Sequence, residues 1–221
     1  MELVDRLPGF ALLIIGSLGL GLMGILILVA TSFLKLVVVM HILKSALGLQ
    51  EVPPSMLINT LALVLTIYIM APVGVQMMNI FSEYNISSEN LKDPNIYPAA
   101  KASIEPLKDF MQEHTGEKET AFFANGLDKS MAKRNLPKMD KESLIVLIPA
   151  FTTSQLKSAF QTGFMIYLPF IIIDLIVSNV LLALGMIMVS PIMISLPFKL
   201  LLFVMVDGWS RLLNSLVLSY L

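Results

Sequence analysis

Charge deserts alternate with one charged block along this chain. Residues 7–34 contain no Asp, Glu, Lys, Arg or His, and residues 52–82 form a second such run. A third lies within 163–184, broken by Asp174, and a fourth runs from 185 to 206, broken by Lys199. Each can supply the roughly 20 apolar residues that a spanning helix needs. The pattern predicts an all-α membrane protein with about four long, kinked apolar segments arranged as hairpins. Three regions follow: an N-terminal apolar hairpin over 1–82, a polar insertion over 83–142, and a C-terminal apolar hairpin over 143–221.

The insertion reads as helical. Good helix formers follow Pro98, which suits a first helical turn. Leu107, Phe110, Met111 and His114 then recur at spacings of three and four, which puts them on one helix face. Thr115-Gly116 closes that helix, and Ala121-Phe122-Phe123 opens another apolar face. Asn85-Ile86-Ser87 fits a glycosylation sequon, which would mean nothing if the chain were bacterial.

Composition sharpens the picture. Charged residues make up 14% of the chain, against about 25% for a soluble domain. Mean hydropathy is +0.81. The net charge of −1 gives no sign of nucleic-acid binding. The absence of cysteine excludes disulfides, thiolate metal sites and cysteine nucleophiles. The basic residues Lys35, His41 and Lys44 place the connection over 35–51 on the cytoplasmic side. The polar insertion and both termini then lie on the outer side, and the turn around Ser190-Pro191 returns to the cytoplasmic side. Lys157 and Arg211 fall on the outer side, so the rule is weakly obeyed. Met1-Glu2-Leu3-Val4-Asp5-Arg6 is acidic on balance, and the apolar run behind it is too long for a signal peptide. We expect it to be retained.

Several features argue against plain lipid anchors. Gly16, Gly19, Gly21 and Gly24 crowd the first segment, where they allow close helix approach. Pro72, Pro149, Pro169, Pro191 and Pro197 interrupt the others. Broken backbone at membrane depth is tolerated only against protein or a water-lined cavity. Asp174 is the only charged side chain between Lys157 and Lys199, and a carboxylate in hydrocarbon is costly without a partner. Lys157, Asp174, Lys199 and Asp207 are candidates for a buried charge network.

Three chemistries are open to these residues. Asp174 could be the proton site of a small ion-coupled transporter. Asp174 and Asp207 lie seventeen residues before and sixteen after Pro191, so a symmetric hairpin would set them at similar depth, as in an aspartyl-protease dyad. The Gly-x-Gly-Asp motif of intramembrane aspartyl proteases is absent. The third option is a structural ion pair. His41 and His114 have no ligand-spaced neighbours, so no metal site is indicated, and no cofactor-binding motif occurs. Met186, Met188 and Met193 flank the turn of the last hairpin, where flexible thioether side chains could seal a pore.

Strings along the chain resemble one family. They are Leu47-Gly48-Leu49-Gln50-Glu51-Val52-Pro53; Pro106-Leu107-Lys108-Asp109-Phe110-Met111; Pro149-Ala150-Phe151 with Ser154-Gln155-Leu156-Lys157-Ser158-Ala159-Phe160-Gln161; Leu168-Pro169-Phe170 to Asp174; Ser195-Leu196-Pro197-Phe198-Lys199-Leu200; and Asp207-Gly208-Trp209. Together they resemble the FliP/SctR family, a core export-apparatus subunit of bacterial type III secretion. The resemblance implies a non-enzymatic subunit of the bacterial inner membrane. It implies a homopentamer that assembles with small Q/S-type and R/T-type subunits, and unfolded secreted proteins threading through its centre. It also implies bent hairpins partly lifted out of the lipid bilayer. The family's methionine gasket maps onto Met186 and Met188, with Ile187 interrupting the usual methionine run and Met193 close by. Gln155 stands where the family usually has Glu, which removes one possible partner for Lys157 and points to another acid. The lack of a signal peptide favours an injectisome member over a flagellar one.

Overall fold

The computed structural model describes residues 17, 21, 24–49, 53–84, 96–138 and 140–221. Most of the first apolar segment, with Gly16 and Gly19, lies outside the described residues, as do Gln50, Glu51 and Val52 of the first family string and the sequon at 85–87. Among the described residues all regular structure is helical: α1 (Phe33–Ala46), α2 (Ser55–Glu83), α3 (Ile96–Ser103), α4 (Glu105–Glu113), α5 (Glu117–Lys133), α6 (Leu144–Ala183), α7 (Pro191–Met205) and α8 (Gly208–Leu218).

Most of the stretch read as the first connection is helical and belongs to α1. Leu36, Val39, Met40 and Leu43 recur at helical spacing and are all buried. This face packs along α6, and α1 also contacts α2. Lys35 is therefore a buried helix residue rather than a loop charge. The helix stops at 47–49. Gly48 adopts a φ of 75° there, and Leu49 N–H donates to Lys44 O at 3.3 Å, the closing bond of a glycine-dependent helix stop. Helix α6 ends the same way: Gly185 has a φ of 72° and Met186 N–H donates to Leu181 O at 2.9 Å.

Helices α2 and α6 are long and apolar enough to cross a membrane. The third expected segment, placed within 163–184, is the C-terminal part of a 40-residue helix. At 1.5 Å per residue α6 spans roughly 60 Å, about twice a bilayer core. Its N-terminal half is clad by α1, α4 and α5, and α7 folds back on the remainder. The fourth segment does not span alone. Helix α7 has 15 residues, roughly 22 Å, and bends by 61° into α8. Asp207 forms that bend with a left-handed φ of 53°. Gly208 follows where any Cβ would enter the Phe203 ring.

The described residues of the polar insertion form three helices. Phe110 and Met111 of α4 turn inward against Phe151 and Leu147 of α6, as the three-and-four spacing predicts. Prolines at 72, 149, 169 and 197 sit inside helices. Just past Pro149 the Thr152 and Thr153 hydroxyls donate back one turn, to Ile148 O at 2.6 Å and Pro149 O at 2.8 Å.

Candidate functional site: a buried ion pair and an apolar hairpin tip

The α6–α7 hairpin carries the acid that stood out in the sequence. Asp174 lies on α6 and faces one side of α7. Lys199 Nζ donates to its Oδ2 at 2.6 Å, and the Ser195 hydroxyl donates to its Oδ1 at 2.6 Å. Ser195 and Lys199 are four residues apart, so one α7 face presents both donors. Lys199 also donates to Ala46 O at 3.1 Å, one of the last carbonyls of α1, which has no partner of its own within the helix. Its ammonium thus holds α7 to α6 and to the end of α1. The lysine is 3% exposed, while the Asp174 side chain keeps 34% of its surface open. The apolar stem of the lysine is buried with its charge, and the acid faces the outside of the subunit.

The other two charged positions belong elsewhere. Lys157 donates to Glu119 Oε1 of α5 at 2.9 Å. Glu119 is the acid in the place of the one that Gln155 cannot supply. Its hydrogen bond to Lys157 holds the Glu119 carboxyl below its ordinary value. A carboxyl so shifted adds stability above its unfolded pKa and loses it as pH falls through the folded value. Glu119→Gln should flatten the loss of thermal stability on acidification, most visibly below about pH 4.3. A pH series of melting curves on the wild type and the variant checks this.

Asp207 accepts a hydrogen bond from the Ser210 hydroxyl at 3.0 Å at the bend. It lies eight residues past Lys199, roughly 12 Å along the helix. Both Asp174 oxygens are occupied by donors of α7. The structure therefore brings Asp174 together with Lys199, and not with Lys157 or Asp207. Sequence reasoning missed Ser195 and the Ala46 carbonyl. The spacing of Ser195 and Lys199 on an otherwise apolar helix was the available signal.

The tip of the same hairpin, residues 184–190, is apolar and open. Met186 is 44% exposed, Ile187 81%, Met188 100% and Met193 77%. Exposure continues along both arms through Ile172, Leu175, Ile176, Phe198, Leu201 and Val204. Between the arms lies a cavity of about 430 Å³ lined by Ile173, Val177, Leu181 and Ile194, among other apolar side chains. Loop tips are usually polar, and isolated exposed apolar residues are ordinary. A continuous apolar hairpin surface of this extent marks a protein or membrane contact.

The sequence pattern of the FliP family matches residues 17–216. The chain is 44% identical over 215 residues to "Yop proteins translocation protein R" of Yersinia pestis, covering 97% of this chain and 98% of that one. It is 43% identical over 215 residues to "Virulence protein YscR" of Salmonella typhimurium, covering 97% and 99%. It is 39% identical over 211 residues to "Hypersensitivity response secretion protein HrcR" of Ralstonia nicotianae, covering 96% and 97%. The chain belongs to the FliP family, the export-apparatus proteins of type III secretion that its strings resemble. It is a membrane protein with several long apolar helices.

Proposed function

We propose that this chain is a pore-forming subunit of the type III export gate, conducting unfolded secreted proteins across the bacterial inner membrane without performing chemistry of its own. The observation that carries this reading is the hairpin tip. Met186, Ile187 and Met188 present flexible apolar side chains to the outside of the subunit on a turn braced by the Asp174–Lys199 pair. Around a ring of about five copies such tips would converge and close a bore by contact and dewetting. They would still yield to a passing polypeptide, because methionine is unbranched and adaptable.

In this reading the regions 1–82 and 143–221 supply the wall and the bore, and the insertion 83–142 lies on the periplasmic side. The apolar arms are covered by neighbouring copies and by the small Q/S-type and R/T-type subunits. The names of the relatives, which speak of translocation and secretion, support it. A transporter acting through Asp174 is less well supported, because both carboxylate oxygens are engaged by fixed donors. Native mass spectrometry of the co-expressed complex tests the proposal. A ring of about five copies with both small partners is expected, and a monomer under the same gentle conditions would overturn it.

A further inference from the structure

A second charged region lies at the other end of α1, away from the hairpin. Lys35, on the first turn of α1, is 7% exposed. Its Nζ donates to the Ser219 hydroxyl at 2.8 Å and sits 4.8 Å from the centre of the Tyr220 ring. No carboxylate of the described residues lies within ion-pair distance of it. It lines a polar cleft of about 280 Å³ with His114, Glu119, Ser154, Lys157 and Ser158. Glu119 is already taken by Lys157. Among the described lining residues, two lysines stand against one carboxylate.

The cleft is built rather than incidental. Tyr220 donates to Gln155 Oε1 at 2.6 Å, and Gln155 Nε2 donates to His114 O at 2.8 Å. Gly116 N–H donates to the Ser154 hydroxyl at 3.0 Å. Helix α6, the turn between α4 and α5, and the end of the chain are thus locked around the lysine. Burying a cation without a counter-ion is expensive, and a hydroxyl and an aromatic face offset it only in part. The rim is formed by hydroxyls and amides of α6, with no apolar trough for acyl chains, which disfavours a lipid headgroup.

Matching acids stand on α4, the helix that leads into the cleft residue His114. Glu113 immediately precedes His114. Asp109 and Glu113, one turn apart on α4, are exposed and carry no ion pair among the described residues. Phe110, Met111 and His114 occupy the opposite, inward face of that helix. A head-to-tail ring brings one patch of each copy against a different patch of its neighbour. We propose that the Lys35 cleft receives a carboxylate of a second copy of this chain, from Asp109 or Glu113 of α4, and so sets the register of the ring. This rests on the ring reading above and adds a named contact to it.

The chain has no cysteine, so paired cysteines report contacts cleanly. In the complete co-expressed complex, Glu113→Cys with Ser158→Cys should give, on mild oxidation, a ladder of covalent multimers on a denaturing gel. Lys35→Glu, and separately Asp109→Lys with Glu113→Lys, should each lower the yield of rings by about tenfold or more. Combining all three should restore it. The cysteine arm keeps Lys35 and decides the matter if the charge variants fail to fold. An intact ring without a ladder overturns the proposal, as does a folded triple variant that stays unassembled. Failure of the wild type to form any ring would instead overturn the ring reading.

Discussion

Asp174→Ala should cost the protein its assembly as well as its secretion. The substitution leaves the Lys199 ammonium buried against Ala46 O alone. Breaking a buried ion pair from one side typically costs roughly 3–5 kcal/mol. The partial exposure of Asp174 places the loss toward the lower end of that range. Ser195 loses its acceptor in the same step. Asp174→Glu retains the charge and should be milder. Lys199→Met should also be milder, because the remaining acid is partly exposed and can reach water, whereas the ammonium is buried. Native gels of the complex and a secretion assay, run on the same cells, separate the outcomes. Normal assembly with lost secretion would point to proton handling at Asp174 and favour a transporter.

Gly163→Leu should separate α1 from α6 and prevent folding of the subunit. The two helices pack so closely there that even a Cβ on residue 163 would collide with the Ile42 side chain, with Cγ2 at 3.0 Å and Cβ at 3.2 Å. Overpacking a core by a few methylenes typically costs about 1–3 kcal/mol, and a whole leucine side chain exceeds what Ile42 can yield. Gly163→Ala should lower the melting temperature without abolishing assembly, and adding Ile42→Ala should restore most of it. Thermal unfolding in detergent reads both. Unchanged stability in Gly163→Ala would mean that the α1–α6 seam is looser than described.

Much of this architecture was legible in the residues, for identifiable reasons. Long charge-free runs fix helix existence in membrane-grade sequence, and α4 followed from Leu107, Phe110, Met111 and His114. Asp174 drew attention because a lone acid in such a run demands a partner. What the sequence did not reveal was packing at a distance. Helix α1 was hidden because Lys35, His41 and Lys44 look like loop charges. In fact the lysine stem is buried beside Tyr220, and the His41 ring meets the carbonyl of Val37 within its own helix. The length of α6 was obscured by Lys157, which is satisfied by an acid 38 residues away. Charge spacing could nominate four network members but could not show that Lys157 and Asp207 have partners of their own. The role proposed for the hairpin tip rests on family resemblance, because no spacing rule would assign it.

The central claim, that the hairpin tip closes a protein-conducting pore, is tested most directly by ion leak. Met186→Ala with Met188→Ala removes flexible apolar atoms from every copy at the proposed constriction, and adding Ile187→Ala removes the remaining branched side chain. Conductance or dye entry should be measured in cells whose complexes are shown to be assembled. The account predicts leak from the double variant, greater leak from the triple variant, and partly retained secretion in both. A fully assembled triple variant that leaks no more than the wild type would contradict it and make these side chains ordinary packing.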